Sequence, residues 1–108
     1  MYSVLNNTIT IVRGDTATFN VELKVEDDGT MEDYTPEEGD IILFKVKKNY
    51  TDEDTIITKT GATISLNHDD TKDLTPGEYV YDIEFTSSDG TVIDHVVTVN
   101  KFIVQEAL

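Results

Sequence analysis

Apolar and polar residues alternate along most of this chain in short runs with a period of two. The clearest run is Thr16 to Val25, where Ala17, Phe19, Val21, Leu23 and Val25 fall on one side. Thr18, Asn20, Glu22 and Lys24 fall on the other. Successive side chains of a strand point to opposite faces, so the run predicts a strand with one buried and one wet face. Thr8 to Val12 predicts an earlier strand, closed by Arg13-Gly14-Asp15. Asp40 to Lys48 predicts a third, with Ile42, Phe44 and Val46 on one side and Ile41, Leu43, Lys45 and Lys47 on the other. Between them, Met31 to Tyr34 reads as a short extended piece flanked by turns at Asp27-Asp28-Gly29-Thr30 and Pro36-Glu37-Glu38-Gly39. Short runs follow at Thr55 to Thr60 and Ala62 to Leu66.

Gly77 to Thr86 alternates again, with Tyr79, Tyr81, Ile83 and Phe85 inward and Val80, Asp82 and Glu84 outward. Ser87-Ser88-Asp89-Gly90 then turns the chain into a long last run, Thr91 to Val104, where Val96-Val97 beside Asn100 suggests a bulge. Asn67 to Leu74 breaks the period and reads as one helical turn near residues 68–74. Asn67 is its N-cap, and Asp69 and Asp70 lie near the positive end of its dipole. About seven short strands, punctuated by turns at fairly regular spacing, predict an all-β sandwich or barrel.

Composition agrees. Valine, isoleucine and threonine number 37 against 9 alanines and leucines, and branching at the β-carbon suits a pleated, half-buried surface. A chain of 108 residues can bury about two-thirds of its surface, enough for one core and one domain, residues 1–108. Twenty-two acids against eight bases give a net charge of -14. Nucleic-acid binders gather Lys and Arg on one face to neutralise phosphate, so nucleic acid and anionic membranes are not expected partners. The basic cluster Lys45, Lys47 and Lys48 reads as a solvated strand face or a guarded edge. No basic stretch followed by an apolar run opens the sequence, so no signal peptide is expected.

Catalytic chemistry finds little footing. There is no cysteine, and the six glycines stand singly in turns instead of forming a phosphate-cradling loop. Ser3, Ser65, Ser87 and Ser88 lack the context of a presented nucleophile. His68 reads as a capping or solvent-facing residue and His95 as a partly buried strand residue. No catalytic residue, no cofactor and no metal ligand is assigned, and an enzyme is not expected. The acidic groups Asp52-Glu53-Asp54, Asp69-Asp70 with Asp73, and Asp27-Asp28 with Glu32 and Asp33 invite calcium, which takes six to eight oxygens. None has the spacing of an EF-hand loop.

The most specific signal is Leu74-Thr75-Pro76-Gly77-Glu78-Tyr79-Val80-Tyr81-Asp82-Ile83. A helical turn enters an aromatic strand through Pro76 and Gly77. This resembles the tyrosine corner of immunoglobulin-like sandwiches, with Tyr79 as the corner residue bonding back to upstream backbone. The expected fold is therefore an immunoglobulin-like antiparallel β-sandwich of about seven strands. Together with Asp27-Asp28-Gly29-Thr30, Asp40 to Lys48, Asp70-Thr71-Lys72-Asp73-Leu74, Ser88-Asp89-Gly90 and the closing Lys101-Phe102-Ile103-Val104, the corner is similar to a family of small phage and prophage proteins. That family is the N-terminal immunoglobulin-like domain of phage upper baseplate proteins and its stand-alone relatives. The likeness spans roughly residues 8 to 104. Where the family usually has a glycine before the closing apolar pair, this chain has Lys101.

The resemblance implies a non-enzymatic virion structural protein of the tail, neck or baseplate. Such a protein would be made in the bacterial cytoplasm and would assemble with copies of itself or with other phage structural proteins. Ile41, Leu43, Lys45 and Lys47, an amphipathic outward stripe, are the expected contact. The alternative is a binding module such as a cell-surface adhesin or carbohydrate-binding domain, stabilised by calcium, with Tyr34 and Tyr50 as its loop aromatics.

Overall fold

Residues 2–5 and 7–107 are described by the computed structural model, with the side chains of 2–5, 25–27 and 31 left aside. In chain order the strands are β1 (Tyr2–Leu5), β2 (Thr8–Val12), β3 (Ala17–Asn20), β4 (Lys24–Asp27), β5 (Thr30–Asp33), β6 (Ile41–Lys47), β7 (Ile57–Thr60) and β8 (Thr63–Leu66). A single helical turn, α1 (His68–Thr71), precedes β9 (Gly77–Thr86) and β10 (Ile93–Gln105). The fold is an all-β sandwich. Its large sheet runs β1-β2-β10-β9-β6-β7, its small sheet is β3-β8, and β4-β5 forms a separate hairpin.

The alternation explains the packing. Ile42, Phe44 and Val46 of β6, Tyr79, Tyr81 and Ile83 of β9, and Phe102 and Val104 of β10 turn inward and are buried. Ile9 and Ile11 of β2 complete the large sheet's inner face, and Ala17, Ile64 and Leu66 close it from the small sheet. Phe44 sits at the centre, with ring centroids of Tyr81, Phe19 and Phe102 at 5.5, 5.7 and 6.4 Å. Emptying such a site typically costs about 3–5 kcal/mol, because neighbours relax only partly into the cavity.

Three expectations need correction. The sandwich is not antiparallel throughout, because β2 and β10 pair in parallel, from Phe102↔Ile9 to Gln105↔Val12. A parallel pair cannot be joined by a hairpin, and here nearly the whole chain lies between the two strands. Ten strands are present among the described residues; β1 and the β4-β5 hairpin are additions to the seven that enclose the core. The run Thr16 to Val25 is not one strand. At Val21 the chain makes its last bond to the small sheet, N–H to Ala62 carbonyl at 2.7 Å, and by Leu23 its carbonyl accepts the Tyr34 N–H at 2.9 Å. The inward alternation survives this change of partner, with Ala17 and Leu23 buried and Phe19 and Val21 half-buried. In the last strand, register shifts fall between His95 and Val97 and between Val97 and Asn100, where the bulge was expected.

Candidate functional site

The segment entering β9 is anchored at several points. Gly77 has φ 151°, a value that disfavours any side chain, and directly follows Pro76. The Tyr79 hydroxyl donates to the Thr75 carbonyl at 2.7 Å, and Lys48 Nζ lies 4.5 Å from the centre of its ring. Two residues on, the Tyr81 hydroxyl donates to the Asn7 carbonyl, and burial pushes that phenol up to about 12. Upstream, α1 is stitched to the β2-β3 turn. Thr71 is wholly buried and its hydroxyl accepts the Gly14 N–H at 2.8 Å, while His68 Nδ1 donates to the Gly14 carbonyl at 2.7 Å. Gly14 has φ 86°, and a β-carbon there would sit 3.1 Å from the His68 ring.

The opposite end is gathered by Asp40. Its carboxylate accepts the Tyr34 hydroxyl at 2.7 Å, the Glu37 N–H at 2.8 Å and the Ser88 N–H at 2.9 Å. The Tyr34 hydroxyl, then the Glu37 N–H, hold this carboxyl below its usual range, and the same bond pushes the Tyr34 phenol up to about 12. Tyr34 also packs edge-on against Phe85, with centroids 5.6 Å apart.

The outer face of the large sheet carries the expected contact stripe. Ile41, Leu43, Lys45 and Lys47 stand opposite Thr86, Glu84, Asp82 and Val80 of β9. Ile41 is 50% exposed, and Leu43, Lys45 and Lys47 are half-buried by their neighbours on the same face. Beyond β9, Ile93 pairs Thr86 and is 60% exposed, while Lys101 Nζ meets Glu78 at 3.3 Å. Tyr50, Val80 and Val99 border a shallow depression of about 60 Å³ beside Lys45 and Lys47. His95 belongs to this face as well. It is exposed, not partly buried as its neighbours Ile93 and Val97 suggested, because it stands in register opposite the outward Glu84, ahead of the bulge, and lies 3.4 and 3.5 Å from Asp82 and Glu84.

On the sandwich's open side, between β10 and the chain from Phe19 to Lys24, lies a groove of two adjoining hollows of about 350 and 660 Å³. Sequence reasoning had no signal for it, because an inner face appears covered until the number of strands opposite it is known.

The acidic groups are engaged with their own surroundings. Asp52 accepts the Asn49 N–H at 3.1 Å; Asp70 meets Lys59 at 3.0 Å, Asp69 meets Lys72 at 3.2 Å, and Asp33 pairs with Lys24. Among the described residues no three of His, Asp and Glu gather into a group that could hold a metal ion. The loop aromatics do not share a surface either, since Tyr34 lies before one end of β6 and Tyr50 after the other. No family model matches this sequence, and none of the curated proteins does.

Proposed function

We propose that this chain is a non-enzymatic structural protein of a phage or prophage virion, part of its tail, neck or baseplate. It works by protein–protein contact through the outer face of the large sheet, and it reaches the virion from the bacterial cytoplasm. The observation that carries the reading is that face itself. It is broad, framed by regular strands, and mixes exposed apolar residues with lysines in a molecule of net charge -14. Interface centres favour apolar side chains ringed by polar ones, and Ile41, Leu43, Val80 and Val99 beside Lys45, Lys47 and Lys101 have that composition. The partners are other virion proteins or further copies of the chain, presenting acidic or apolar surface.

Mass spectrometry of purified virions from the encoding bacterium is the test. The chain is expected at stoichiometric level in particles carrying the wild-type gene. Lys45→Glu with Lys47→Glu is expected to remove it from particles while leaving its melting temperature within a few degrees. Absence of the wild-type chain from particles, or clear specific hits on a glycan array, would replace this reading with the adhesin or carbohydrate-binding alternative.

A further inference from the structure

Three of the edge strands lack the charge that usually guards an edge. An edge strand exposes a row of N–H and C=O groups that recruits other strands, and proteins normally guard it with charge or proline. Here charges stand on the inner strands, at Lys45 and Lys47 of β6, Asp82 and Glu84 of β9, and Asp94 and Lys101 of β10. Among the edge strands, β7 carries Lys59 and the β4-β5 hairpin is rich in charge, but β1 (Tyr-Ser-Val-Leu), β3 (Ala-Thr-Phe-Asn) and β8 (Thr-Ile-Ser-Leu) have none.

The open groove lies along the continuation of one of these edges. Its lining includes Phe19, Asn20, Val21 and Glu22 but no residue of β8, so it flanks β3 on the side away from its ladder partner. Of the partly buried hydrophobic residues packed against the core, all but Leu74 line it. The Val21 N–H bonds to Ala62, outside the groove, and in an extended chain the backbone of the next residue, Glu22, turns the other way. A segment laid there would find backbone partners and an apolar floor at once.

We propose that this groove receives strand β1 of a second copy, added alongside Asn20–Leu23. The rim carries Glu22 and Asp94 beside Lys24 and His95, and the floor is apolar, so an uncharged strand fits it without burying an unpaired charge. Residues 1–12 contain no charged side chain, the longest such stretch in the sequence. Strand β1 keeps its ladder to β2 on one side, from Tyr2↔Ile11 to Leu5↔Thr8, and lies at the outer edge of the large sheet. Its length of about 13 Å, at roughly 3.3 Å per residue, matches the four residues it would pair with. The contact is head-to-tail, so copies close into a ring or run on as a filament. One strand buries far less than the ~800 Å² per partner of a standard interface, so a single contact is weak.

Light scattering on the full chain, from about 10 μM to about 1 mM at low and at roughly 0.5 M salt, tests this. Average mass is expected to rise with concentration, and to rise more at high salt, because the copies repel and the joining surfaces are uncharged. Glu22→Pro removes an edge N–H that the small sheet does not use, and Val4→Lys puts a charge on the entering strand. Each is expected to weaken association about tenfold. A single-chain mass at the highest concentration in both salts, or association abolished by salt, overturns the proposal. Association lost with Lys45→Glu and Lys47→Glu but kept in both edge variants also overturns it. That last pair belongs to the outer face, so either reading can fail while the other stands.

Discussion

Asp89 folds the β9-β10 turn around one carboxylate oxygen, which accepts the Thr91 N–H at 3.0 Å and the Ser87 and Thr91 hydroxyls at 2.7 Å each. These donors, the Thr91 N–H foremost, hold the carboxyl at about 2, against 3.8 when unperturbed. The folded value lies below the unfolded one, so the turn's contribution is complete above about pH 4 and disappears as pH falls toward 2. The melting-temperature gap between the wild type and Asp89→Ala is therefore expected to be constant from pH 5 to 7 and to close near pH 2; a gap unchanged at pH 2 would refute this. Asp40 pulls in the same direction through the Tyr34 hydroxyl. The Asp89 turn is legible from Ser87-Ser88-Asp89-Gly90 alone, because all its partners lie within two residues. The Asp40 cluster is not, since Ser88 comes 48 residues later and no local pattern marks a long-range acceptor.

At the scale of elements, α1 matters as a clamp more than as a helix. Thr71→Val keeps the shape of the side chain but leaves the Gly14 N–H without its acceptor, at a cost of about 1–3 kcal/mol. Urea denaturation should show a lower midpoint with an unchanged slope, and Thr71→Ser, which keeps the hydroxyl, should lose distinctly less. Strands β2, β6 and β9 lie close to where period-two alternation put them, because each keeps one partner set along its length. The break after Asn20 escaped that reasoning. Alternation records which face of a residue is wet, and Val21 and Leu23 stay inward while their backbone changes partner from Ala62 to Tyr34. The parallel pairing of β2 with β10 was hidden for a related reason: parallel and antiparallel ladders impose the same period. The outward stripe on β6 was legible as a stripe, whereas its partners Val80, Asp82 and Glu84 became its neighbours only through register.

The whole molecule measures 50 × 26 × 22 Å, with a radius of gyration of 14.8 Å. A compact chain of this length would have about 13 Å, so the domain is drawn out along one axis. Over that surface the net charge of -14 repels itself, a cost the unfolded chain largely escapes by expanding. Raising salt from about 20 to about 500 mM shortens the screening length several-fold and should raise the melting temperature of a dilute sample. A fall over the same range would mean that the ion pairs, such as Lys101–Glu78, outweigh the repulsion. The parallel ladder between β2 and β10 has a mechanical consequence. Tension applied at Thr8 and Gln105 pulls these neighbours along their lengths in opposite directions, so the rungs from Ile9↔Phe102 to Val12↔Gln105 share the load in shear. An antiparallel pair held the same way would unzip rung by rung, and this one must yield all at once.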